Sequence, residues 1–406
     1  MQLIEGGVTA AKGYKAASFE ANIKYKNRTD MAMVVSEVPA VCAGTFTSNC
    51  VKAACVKWDM ALNEKGTLQA VVINSGIANA CTGKEGMDAC EATAKAVEEC
   101  LGIPYETVAV ASTGVIGMQL PVEKLVNGVK GMSKLLQSGT EAGTAASKAI
   151  MTTDTINKEI AVTFTVDGKT ATLGGMSKGS GMIHPNMCTM LAFLTCDIAI
   201  EKKLLQQAVS EVVNDTFNMI TVDGDTSTND TLMVMCNGLC GNAVINAENE
   251  DYFAFLEALK MVCTYLARRM AGDGEGATKL FEAKVINAKC VADAKKMARS
   301  VVGSNLSKAA IYGCDANFGR FLCAMGYSGA QFDEADVELF YQSDRGTVKV
   351  FDHGKLPAFD EEKATYIMGA KEVTVLINMH EGDAQATAWG CDLTYDYVKI
   401  NADYRS

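Results

Sequence analysis

The sequence predicts an α/β or α+β protein in which helices pack on mixed sheets. Three observations carry that reading. Apolar, β-rich runs alternate with amphipathic helical stretches along most of the chain. One clear hairpin makes part of the sheet antiparallel. With 406 residues, 49% hydrophobic and 21% charged, the chain is long enough for two domains. The best dividing point is near 275–285, giving domains of 1–280 and 281–406.

Taken in order, Gln69 to Asn74 is a buried strand that runs into a Ser75-Gly76 turn. Asp88 to Leu101 has apolar residues at helical spacing, and Val108 to Ser112 is a second buried strand ending at Thr113-Gly114. Pro121 opens an amphipathic helix that reaches Leu136, because proline is tolerated in a first turn. The hairpin pairs Ile160–Val166 with Thr170–Leu173 across Asp167-Gly168. Gly174 to Gly181 then reads as a glycine-rich loop, and Met187 to Ile200 as one long central strand. Helices follow at Glu201–Phe217 and Asp251–Met270, separated by a Thr/Asp/Ser/Asn loop at Thr221–Thr231. Beyond Gly272 the expected order is strand Ala283–Ala288, helix Ala292–Val302, strand Ala309–Tyr312 and a helix from Asn317. Strands at Val337–Tyr341, Val373–Met379 and Ala384–Trp389 complete it, with a polar, β-like tail.

Composition excludes several functions. A net charge of -11 argues against nucleic acid, whose phosphates need a basic face. No apolar run is long enough to span a bilayer, and the start lacks the basic-then-apolar pattern of a secretory signal. The fifteen cysteines form no CxxC pair and lie in apolar segments, as free thiols in a reducing cytoplasm do. With three histidines, no mixed Cys/His metal pattern can be assembled, so no metal is expected. The Gly174–Gly181 stretch places Lys178 before its final glycines, the wrong order for a phosphate-binding loop.

So few histidines also disfavour any scheme that needs an imidazole base. A threonine at a chain terminus brings its own base. Its α-amine has a pKa of about 7.7–8.0, so a neutral fraction can take the hydroxyl proton near pH 7. Exposing such an amine inside this chain requires one peptide bond to be cut. Cys188-Thr189 is the candidate, since a glycine-rich loop and Pro185 deliver Thr189 to the start of an apolar strand. Taken alone, Thr189 is more simply one β-region threonine among many.

The stretch Lys178 to Leu191, KGSGMIHPNMCTML, resembles the cleavage motif of the ornithine acetyltransferase (glutamate N-acetyltransferase) family of arginine biosynthesis. Similar stretches are NSGIANA at Asn74, STGVIG at Ser112, MTTDT at Met151, DGDTSTND at Asp223, GEGATK at Glu275's loop and the tail from Ile400 to Ser406. They run in order along the whole chain. One departure is Cys188, where the family usually has alanine.

The resemblance implies a layered α/β self-cleaving N-terminal-threonine architecture, and a cut that yields 1–188 and 189–406. Thr189 would be nucleophile and acetyl carrier, and Thr113 with Gly114 the oxyanion-holding pair. Thr152, Lys178, Thr189, Glu275, Asn401 and Ser406 would contact substrate, with the tail of the second domain returning to the site. The implied reaction moves acetyl from N-acetylornithine to glutamate, in a heterotetramer of two copies of each fragment, with no cofactor. Acetyl-CoA as a second acetyl donor is left open by these residues. An amidase or aminopeptidase using the same nucleophile would differ only in resolving the acyl-enzyme with water.

Overall fold

The computed structural model describes residues 1–184 and 190–403. They form two compact units. The first comprises Met1–Gly179, Asn186–Asn214 and Thr226–Leu266. The second comprises Ala267–Ser406 with two short returns, Ser180–Pro185 and Asp215–Asp225, which no single linear boundary expresses.

In the first unit nine strands form one sheet: β1 (Gln2–Ile4), β2 (Tyr14–Phe19), β3 (Met31–Phe46), β4 (Thr67–Ile77), β5 (Val108–Val115), β6 (Lys158–Val166), β7 (Lys169–Lys178), β8 (Leu191–Cys196) and β9 (Thr231–Cys236). Their order is β1-β6-β7-β8-β9-β3-β4-β5, with β2 paired to β3. The β4–β5 and β8–β9 pairs are parallel and the others antiparallel, so the sheet is mixed as expected. Both faces are buried. Met31, Met33 and Val35 of β3 pack among the helices Ala54–Lys65, Gly83–Leu101 and Val122–Ser133. The alternate residues Ala32 and Val34 join Phe193, Met233 and the helix Thr140–Ala149 on the other side. This two-sided burial is why the strands read as continuous apolar runs. A fully buried side chain such as Phe193 contributes about 2 kcal/mol.

Two expectations in this unit need correction. Gly174 and Gly175 do not open a loop: β7 continues through them to Lys178. A Cβ on Gly174 would lie 2.0 Å from the Gly7 carbonyl oxygen, so the glycine serves close backbone approach inside the sheet. The central strand β8 spans Leu191–Cys196 rather than Met187–Ile200. It stops where the Asp197 carboxylate turns back to accept N–H groups from Lys12 and Thr172, while residues 187–189 lie outside the described set.

The second unit holds a five-stranded sheet in the order β12-β11-β13-β10-β14. Its strands are β10 (Leu280–Ala288), β11 (Glu338–Ser343), β12 (Gly346–Asp352), β13 (Glu372–Asn378) and β14 (Ala384–Cys391). Phe281, Phe321 and Tyr341 meet edge-on in its core. Two more readings change here. The run Ala309–Tyr312 belongs to a helix, Asn305–Gly313, because the Ser304 hydroxyl accepts the Ser307 N–H and caps it. A four-residue apolar run cannot by itself separate strand from helix. The tail is also a helix, Tyr395–Ala402, capped by the Thr394 hydroxyl on the Tyr397 N–H. Among the described residues no helix is long and apolar enough to cross a membrane.

Candidate active site

In the first unit the expected site residues gather at strand ends. Gly114, near the end of β5, lies opposite Gly76 of β4, and both have positive φ, +132° and +105°. A Cβ on Gly114 would fall 2.2 Å from the Gly76 carbonyl carbon. Only glycine permits this approach, and it fixes where the preceding Thr113 presents its hydroxyl.

Lys178, the last residue of β7, is buried, and its ammonium donates to Thr113 Oγ1 at 3.2 Å and Thr152 Oγ1 at 2.8 Å. Because the Thr113 oxygen accepts from an ammonium, its own proton is left to donate to an oxygen developing negative charge. The turn carrying Thr152 is anchored by Arg28, whose guanidinium donates to the carbonyls of Met151 and Thr152.

Behind Lys178 stands Asp154, which carried no role in the sequence reading. Its carboxylate accepts from Lys158 Nζ at 2.7 Å and from the Gly179 N–H at 2.7 Å, and lies 3.8 Å from Lys178 Nζ. Burial pushes the Asp154 carboxyl up, but the two ammoniums and the amide outweigh it and hold it well below the usual range. The side chains of Asp154 and Lys158 have no solvent exposure. This buried ion cluster keeps the Lys178 cation in place. The signal lay in plain view as the aspartate of MTTDT, but only folding brings Lys178 to it.

Lys178 pairs in register with Leu191 of β8, two residues along the chain from Thr189. Thr189 and Cys188 themselves lie outside the described residues, as does Ser406. Met190 is held by its carbonyl to the Thr231 N–H at 2.8 Å and by its N–H to the Asp230 carboxyl. Asp230 is buried, and burial pushes its carboxyl well above the usual range despite hydrogen bonds from Ser227, Thr47 and Met190. Its Oδ2 has no hydrogen-bond partner among the described residues.

In the second unit Glu275 is buried in the glycine-flanked turn after the long helix Glu250–Gly272. Its N–H donates to the Ser180 carbonyl at 2.9 Å, and its Oε2 accepts from Asn401 Nδ2 at 2.8 Å. A Cβ on Gly181 would lie 2.4–2.6 Å from the carboxylate atoms, so that glycine makes room for the charge. The tail helix is seated by Thr394 Oγ1 on the Gly276 carbonyl and by Tyr397 Oη on Asp223. Asp223 also accepts the N–H groups of Met182 and Ile183, and was not singled out by sequence. The structure therefore brings Glu275 and Asn401 together, as it does Thr113, Thr152 and Lys178.

His184 touches Thr221 Oγ1 and Arg299, and burial with that guanidinium pushes its pKa down. Every described cysteine is free. Burial pushes the Cys55 thiol up to about 12, so it packs rather than reacts.

The ArgJ family model matches residues 15–406. The chain belongs to that family. It is 49% identical over its full length to the whole "arginine biosynthesis bifunctional protein ArgJ" of Symbiobacterium thermophilum. The protein of that name from Caldanaerobacter subterraneus subsp. tengcongensis is 48% identical, again with both chains fully covered. A crystal structure titled as ornithine acetyltransferase complexed with ornithine, from Mycobacterium tuberculosis, is 41% identical. It covers 47% of this chain and 99% of its own, with a TM-score of 0.43. The resemblance read from the motifs is thus a family membership.

Proposed function

We propose that this chain acetylates glutamate at the expense of N2-acetylornithine through an acetyl-Thr189 ester, after cutting itself at Cys188-Thr189. Family membership supports the reaction class, and one observation carries the assignment of the site. That observation is the Lys178 ammonium, held by Asp154 and bonded to Thr113 and Thr152, on the strand position that registers with Leu191.

In the processing step the Thr189 hydroxyl attacks the Cys188 carbonyl carbon, the peptide becomes an ester, and water splits it. A carboxylate is left on residue 188 and an amine on Thr189. That amine, when neutral, takes the hydroxyl proton as the oxygen attacks the acetyl carbonyl. The Thr113 hydroxyl and the Gly114 N–H stabilise the oxyanion, and Lys178 raises the donor strength of Thr113. Ornithine departs with the proton, and the amine of glutamate takes the acetyl group from the ester. Lys178 and Thr152 hold the amino-acid carboxylate, Glu275 with Asn401 the ornithine ammonium, and Ser406 adds a neutral hydrogen bond. This cycle requires no metal or organic cofactor. Acetyl-CoA serves as a second donor, in keeping with the word bifunctional in the relatives' names. The two fragments stay associated, two copies of each, in the cytoplasm.

The test is direct. Rapid mixing with acetylornithine should label Thr189 in a burst, and a denaturing gel of active enzyme should show two bands. Full activity from an intact 406-residue band sinks the cleavage. Equal acetylornithine consumption with and without glutamate would mean water resolves the ester, and the chain would be an amidase.

A further inference from the structure

Two of the three histidines in this chain meet at one end of the five-stranded sheet. Glu338, the first residue of β11, registers with Asp352 of β12 on one side and with Asn378 of β13 on the other. Cross-strand partners present their side chains together. His353 follows Asp352 directly, and His380 lies two residues beyond Asn378. Both histidines sit in the left-handed region, with φ of +48° and +55°.

The donor atoms converge. One oxygen from each of Glu338 and Asp352 and one ring nitrogen of His353 lie within 4.8 Å of one another. His380 Nε2 is 2.6 Å from Glu338 Oε2, and the two rings are 5.1 Å apart between centroids. Asn378 Nδ2 joins them, 2.8 Å from His380 Nε2 and donating to Glu338 Oε2 at 3.0 Å. At present Lys349 supplies positive charge, 2.5 Å from Glu338 Oε1 and 3.3 Å from Asp352 Oδ1. Its stem is about one-third exposed, so the ammonium can swing out.

We propose that Glu338, Asp352, His353 and His380 form a surface site for one divalent transition-metal ion of the zinc type, with Lys349 as the competing cation. Two imidazoles and two carboxylates are a donor set such ions accept in tetrahedral geometry. Ligand atoms 2.0–2.1 Å from the ion stand about 3.3 Å from each other. The Glu338, Asp352 and His353 donors lie within 4.8 Å of one another, His353 and Asp352 2.9 Å apart. His380 lies 2.6 Å from Glu338 but outside that closer group, and its side chain, 40% exposed, has to shift to complete the set. None of these residues is given a part in acetyl transfer, and the proposal does not depend on that reading.

The experiment uses full-length protein, stripped with chelator, with its thiols blocked by N-ethylmaleimide so that cysteine does not compete. Zn2+ is titrated calorimetrically into wild type, the double variant His353→Gln/His380→Gln, and Lys349→Met. Wild type should bind one equivalent. The double variant should bind at least ~10-fold more weakly, the lower end of what even an outer partner of a metal ligand costs. K349M should bind more tightly than wild type, a gain that misfolding cannot mimic. Zinc should also raise the thermal midpoint of wild type and K349M but not of the double variant. Equal affinity in wild type and double variant, or K349M binding no tighter than wild type, overturns the proposal.

Discussion

Lys178 and Glu275 are both buried charged side chains drawn from one family resemblance, yet the fold supports them in different ways. Lys178 ends a central strand and is held by side chains that are themselves packed in place: those of Asp154 and Lys158 are fully buried, and Thr113 precedes a glycine whose close backbone approach no other residue allows. Glu275 sits in a turn, and its partner Asn401 belongs to an eight-residue terminal helix that buries none of its residues. Such a helix opens at low cost. The difference teaches a division of labour. The positive charge beside Thr113 is prearranged, as charge stabilisation in a transition state requires. The negative charge has a neutral amide partner that can give way when a substrate cation arrives.

If that contrast holds, its ends should respond differently to substitution. The largest effect belongs to the reacting oxygen itself. Thr189→Ala should leave the chain in one piece and lower kcat at least ~10^4-fold, as loss of a nucleophile does elsewhere. A denaturing gel and a steady-state assay read both. Next, Asp154→Asn leaves two buried ammoniums without their carboxylate and should cost about 3–5 kcal/mol of stability. The sign of its pH dependence follows from a native pKa held below the unfolded one. Asp154 stabilises fully above the unfolded carboxylate pKa, and that stabilisation is lost as pH falls through the native one. The gap in Tm between wild type and D154N should therefore be widest near pH 7 and narrow below about pH 4.

On the adjustable side, Glu275→Gln keeps shape and loses charge. The expected result is a KM for acetylornithine raised by ~10–100-fold, the worth of one charged hydrogen bond, with little change in Tm. A collapse in Tm as large as that of D154N would erase the contrast. The smallest effect is expected at Asp230, whose burial raises its native pKa. Folding then favours its protonated form, so it costs stability as pH rises above the unfolded value. Asp230→Asn should match wild type near pH 4 and exceed it by about 1 kcal/mol at pH 8.

Much of the frame was legible because apolar runs and helical periodicity survive in one dimension. The hairpin, the helix Glu250–Gly272 and four strands of the second sheet lie where their patterns point, while the edge strand β12 was not read. The misread elements share a cause. Ala309–Tyr312 and the tail are short, and a single cap on each, from Ser304 and Thr394, decides helix against strand. Gly174 looked like loop because its role, yielding room to the Gly7 backbone, involves a residue over 160 positions away.

By itself, the sequence determined the family, the likeness of its motifs to a self-cleaving acyltransferase, and the residue types a site could draw on. Those are properties of local strings, and local strings are conserved through folding. Folding in three dimensions settles which charges meet: that Asp154 rather than solvent faces Lys178, that Asn401 reaches Glu275, and that two of three histidines share one end of the second sheet. Electrostatic interactions depend on separation in space and on burial, and neither is written along the chain. Cross-strand register and buried packing supply both.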